Sequence, residues 1–76
     1  MQRRFKVILE WDKEAKVYVV TVPALPGCST FGRSREEALE MAKDAIQVTL
    51  EGLKAIGQPV PTEDKDVSLA EVVLPA

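Results

Sequence analysis

VPALPGCSTFGRSREEALEMA, residues 22–42, holds two prolines, a tight glycine, the only cysteine and the start of a charged run. Two readings compete for it. In one, Cys28 is a nucleophile assisted by Ser29, Thr30 and Ser34; in the other, the stretch joins a strand to a helix. A catalytic thiol needs a base or a cation to generate the thiolate. The sequence has no histidine, and Arg33 and Arg35 lie across a turn from the cysteine. The three hydroxyls likewise lack a general base. Each residue has a structural task instead. Pro23 and Pro26 have no N–H to give a sheet ladder and end the preceding strand. Pro26-Gly27 is a turn pair, residues 28–31 form a short strand, and Gly32 lets the chain leave it. Ser34-x-x-Glu37 has the spacing of a capping box, in which the serine oxygen and the glutamate each satisfy a free helix N–H. The stretch therefore reads as architecture.

Upstream, Phe5, Val7, Leu9 and Trp11 alternate with Lys6, Ile8 and Glu10, the period of a strand with one buried face. Residues 12–15 are a polar break of hairpin length. Residues 16–22, KVYVVTV, are largely β-branched and apolar in both directions, as expected of a central strand covered on both sides. Downstream the period lengthens. Leu39, Ala42, Ile46, Leu50 and Leu53 share one helical face, and Glu36, Glu40, Lys43, Gln47, Glu51 and Lys54 share the other. Gly52 costs about 1 kcal/mol against alanine inside a helix, and the expected reason is close approach of helix to sheet. Gly57, followed by Pro59, is a stop signal. Residues 59–66 read as a loop and 67–74 as a final strand with two apolar faces. The expected fold is α+β, in the order β-β-β-α-β, with a three-stranded antiparallel sheet packed on one helix in a single domain over residues 1–76.

Composition narrows function. A chain of 76 residues buries only about 60% of the surface it exposes when unfolded. Small domains of this kind are usually reinforced by disulfides, metal or oligomerisation. One cysteine and no histidine remove the first two remedies, which leaves self-association, with the sheet face opposite the helix as a contact surface. A net charge of −2 argues against clamping a nucleic-acid backbone; Arg3, Arg4 and Lys6 form the only basic cluster. No apolar run reaches the roughly 18 residues of a membrane span, and the N-terminal residues lack the order of a secretory signal. A cytoplasmic protein is expected. Gly27 and Gly32 do not have phosphate-loop spacing. Glu10 and Asp12 at the end of the first strand, Glu40 or Asp44 on the helix and Glu71 on the last strand resemble an acid set for magnesium-dependent hydrolysis, with charged-surface positions as the simpler explanation. No catalytic, cofactor-binding or metal-ligating residue is assigned.

The order of YVVTVPALPGCSTFG, SREEALEMA and GQPVP resembles the HicB-like antitoxin family over about residues 5–74. The most specific pieces are Leu25-Pro26-Gly27-Cys28, Glu36-Glu37-Ala38, and Gly57 with Pro59 and Pro61. The resemblance implies a partial RNase H-like fold and a protein that binds and neutralises a small, basic HicA-type toxin that cleaves mRNA. It also implies self-association as a homodimer or higher oligomer. Many members carry a DNA-binding segment; only Pro75 and Ala76 follow Leu74 here, so direct nucleic-acid binding by this chain is not expected. Two rival readings are a vestigial or active metal-dependent nuclease built on Glu10, Glu40 and Glu71, and a stand-alone oligomeric scaffold.

Overall fold

The structure, a computed structural model, describes residues 3–61 and 65–75. Three strands follow one another, β1 (Ile8–Asp12), β2 (Val17–Thr21) and β3 (Ser29–Gly32), and then one helix, α1 (Arg35–Ala55). The fold is α+β. The sheet is antiparallel and its spatial order, β1-β2-β3, is the order of the chain. Leu9 faces Val20 across the first ladder, and Val20 faces Thr30 across the second. Directly paired residues share a face, so Leu9, Val20 and Thr30 lie on the side that meets α1. Glu10, Val19 and Phe31, the next row, lie on the other.

The β1–β2 connection is built around Asp12. Its Oδ1 accepts from the Glu14 and Ala15 amides at 3.0 and 3.1 Å, and the Lys16 N–H reaches the Asp12 carbonyl at 2.8 Å. Closing this loop puts Lys16 at φ 56°, a left-handed conformation that costs an ordinary residue about 1 kcal/mol. The β2–β3 connection is a pair of chained turns. Leu25 N–H donates to Val22 O at 3.0 Å and Cys28 N–H to Leu25 O at 2.9 Å. In the second turn Pro26 precedes Gly27 at φ 85°, the proline-then-glycine arrangement of a type II turn.

Helix α1 begins as the serine spacing predicts. Ser34 is extended (φ −127°, ψ 165°), and its Oγ accepts from the Glu37 amide at 3.1 Å. Only this half of the capping box forms among the described residues. At the other end Gly57 takes φ 73°, its N–H donates to Lys54 O at 3.1 Å, and the Gln58 N–H donates to Leu53 O at 2.9 Å. Those two bonds together form a Schellman closure.

Two packed clusters make the core. Val20, Ala38 and Ala42 are buried together beneath Val7, Leu9 and Tyr18. Val22, Leu25 and Cys28 are buried with Phe5, Ile46, Leu50 and Leu53 against them. The double turn thus supplies core side chains as well as a connection. Three expectations need correction. Gly52 is exposed, and a Cβ there would meet nothing within 4 Å; close approach occurs at Gly32, where a Cβ would fall 2.7 Å from Ala38 Cα. The central strand is covered on one face alone. Residues 67–74 form no strand: the described part of this segment, 65–75, is exposed throughout. A strand exists only with a ladder partner, and this segment's backbone joins none among the described residues. Residues 62–64 of the expected loop lie outside the described residues.

Candidate functional site

The nucleophile candidates are all occupied structurally. Cys28 is buried in the second core cluster. The Thr49 hydroxyl donates to Ala45 O at 2.7 Å and lies 3.6 Å from Cys28 Sγ, so the thiol faces a side chain without basic character. Ser29 Oγ donates to the Val20 carbonyl at 3.0 Å, Thr30 is half-buried on the sheet's inner face, and Ser34 caps the helix. The acids are not brought together. Glu10 lies on the outer sheet face beside Val19. Glu40 is exposed on α1, on the other side of the sheet, and Glu71 is in the exposed segment that follows. Among the described residues no three acidic, cysteine or histidine groups are placed to share a metal ion. The nuclease reading thus lacks its geometric requirement.

What the fold does build is an open sheet face. Alternation along the three strands sends Ile8 and Glu10 of β1, Val17, Val19 and Thr21 of β2, and Ser29 and Phe31 of β3 away from the helix. Phe31 is 61% exposed, and Ile8 is also exposed. A phenyl ring left largely in water on an edge strand, with two half-buried valines beside it, gains little from burial in this fold; larger apolar patches of this kind mark contact surfaces. One end of the face is acidic. A depression of about 380 Å³ there is lined by Glu10, Trp11, Asp12, Lys13, Glu14 and Val19. Behind it, on the inner side, Trp11 and Tyr18 pack with ring centroids 4.9 Å apart and planes tilted by 58°, which stiffens the β1–β2 end. An apolar face with a carboxylate rim is suited to a partner that is apolar at its centre and basic at its edge.

A single helix, able to cover one side of the sheet, predicted an uncovered face but not which aromatic would mark it. The strand parity contains that information. Phe31 is three residues from Cys28, an odd offset, so if Cys28 faces the core Phe31 cannot.

A family model described as "HicB_like antitoxin of bacterial toxin-antitoxin system" matches residues 5–73. A UPF0150 protein of Thermoplasma acidophilum is 40% identical over 63 residues, covering 83% of this chain and 90% of the relative. A UPF0150 protein of Archaeoglobus fulgidus is 42% identical over 53 residues (70% and 75%), and one of Synechocystis is 38% identical over 60 residues (79% and 75%). No solved structure matches at a significant level. No helix among the described residues is long and apolar enough to cross a membrane.

Proposed function

This chain belongs to the HicB-like antitoxin family, and from that membership we propose that it neutralises a small, basic HicA-type toxin by binding it through the open sheet face. The observation that carries the proposal is the pairing of exposed Phe31 and Ile8, with half-buried Val19 between them, with the Glu10–Asp12–Glu14 rim. Buried aromatic anchors dominate binding energy at protein interfaces. The carboxylate rim accelerates encounter with a partner of opposite charge, which an RNA-cleaving toxin is. The role is non-enzymatic: toxin activity is blocked by occupancy, and the antitoxin needs no proton-handling side chain. The setting is the cytoplasm, where mRNA is cleaved, and the working form is a homodimer or higher homo-oligomer.

The test is co-expression with a small HicA-type toxin from a neighbouring gene, read by growth and by co-purification. Rescue with a stable complex is the expected result. Phe31→Asp places a charge at the centre of the face without touching the core; it should abolish rescue while the far-ultraviolet circular dichroism of the purified chain stays the same. Full rescue by that variant would move the toxin contact elsewhere. Absence of any complex with the native chain would overturn the antitoxin role.

A further inference from the structure

We propose that residues 70–74 form an exchanged arm, which adds as a strand to the outer edge of β1 in a second copy of this chain. This rests on the homo-oligomer reading above and identifies the contact that builds it.

The arm is defined by where it leaves its own protomer. Residues 67–69 border a groove of about 440 Å³ with Lys6, Val7, Ile8 and Leu9, and the Lys6 ammonium donates to the Lys65 carbonyl at 3.2 Å. Val67 is consequently only 38% exposed, but Leu69 is 96%, Val72 85%, Val73 89% and Leu74 80% exposed. The chain thus passes its own β1 edge without forming a ladder among the described residues and then projects. The overall dimensions agree. A compact chain of this length has a radius of gyration of about 11 Å, whereas this one has 14.6 Å. Its long axis is 50 Å, well beyond the roughly 31 Å of a 21-residue helix.

The receiving site is an open, partly apolar strand edge. β1 is an edge strand, with β2 on one side and no ladder on the other among the described residues. Such an edge is a template for another strand. Its five residues, Ile8–Asp12, offer about 17 Å of edge at 3.3–3.4 Å per residue, a span that residues 70–74 can cover. Because each copy has both an arm and an edge, one two-fold axis satisfies both exchanges, as an isologous interface requires. The segment expected to be a strand then acquires the ladder partner that it lacks among the described residues of one chain.

Sedimentation of the full native chain at tens of micromolar should give a dimer or a multiple of it. Val72→Asp with Leu74→Asp should weaken assembly more than tenfold. It should leave the helical circular dichroism signal unchanged, since neither side chain belongs to the core. Hydrogen exchange on the native oligomer should show protected amides in residues 70–74 that lose protection on dilution. A native monomer overturns both this inference and the oligomer reading. An oligomer that survives the double substitution, or whose arm amides exchange freely, overturns the arm alone and leaves self-association standing. Toxin neutralisation is read separately, by growth.

Discussion

Replacing Gly52 by alanine should stabilise the protein, while the same change at Gly32 should destabilise it. Gly52 lies inside α1, four residues before the cap, and its carbonyl accepts the Ile56 N–H at 3.2 Å. Its backbone is helical, so glycine offers no conformational advantage, and the unfolded chain gains entropy from it. A Cβ would touch nothing within 4 Å, so no clash offsets the gain. The expected effect is about 0.5–1 kcal/mol in favour of folding. For a domain of this size 1 kcal/mol shifts the thermal midpoint by roughly 4–8 °C, which makes the expected rise about 2–8 °C. At Gly32 the Cβ would lie 2.7 Å from Ala38 Cα and 2.8 Å from the Glu37 carbonyl carbon. Both are backbone atoms, so sheet and helix must move apart, an overpacking cost of about 1–3 kcal/mol. Thermal melts of the two variants and the native chain at one fixed protein concentration test this, since assembly alone shifts the midpoint. An unchanged or lowered midpoint for Gly52→Ala would refute the reasoning, because it would mean that this turn is covered or is not helical.

Three further outcomes follow from local geometry. Ser34→Ala removes the acceptor of the Glu37 amide and should cost about 1 kcal/mol; a melt without change would place the helix start elsewhere. Lys16→Gly relieves the left-handed residue of the β1–β2 loop and should add about 1 kcal/mol in a urea titration, whereas a loss would mean the lysine side chain holds the turn. Val20→Ala opens a cavity in the centre of the first cluster, where Val20 is fully buried, and should cost about 2 kcal/mol by the same titration.

Periodicity made the strands and the helix readable because each has a face that must leave water. The same pattern foretold Phe5, Val7 and Leu9 on the inner face, and the Ser34 cap followed from side-chain chemistry alone. Gly52 was assigned the close approach that Gly32 makes for one reason: glycine marks a place where a side chain is unwelcome or unneeded, and sequence does not distinguish the two. Ala38, fully buried against Gly32, was missed among the helix positions because a methyl group barely registers in a hydrophobic pattern. Residues 67–74 have strand composition, yet a ladder is a relation between two segments. Their side chains specify the preference for an extended form but not the edge that would accept it. The open sheet face was legible as a surplus of apolar strand positions; its acidic rim emerged only when the hairpin brought Glu10, Asp12 and Glu14 to one end.

Strand order that repeats chain order has a kinetic meaning. Each ladder joins neighbours through a short connection, and α1 docks on the strands just before it, so little loop-closure entropy is spent before contacts form. The sheet and helix can therefore be complete on a submillisecond-to-millisecond scale, without waiting for residues 65–75. Each newly made copy would then emerge already shaped, and under the proposed self-association the slow, concentration-dependent step would be the meeting of two finished molecules. The rate at which these copies become competent should then track how many are present in the cell, with the pace of folding setting no limit.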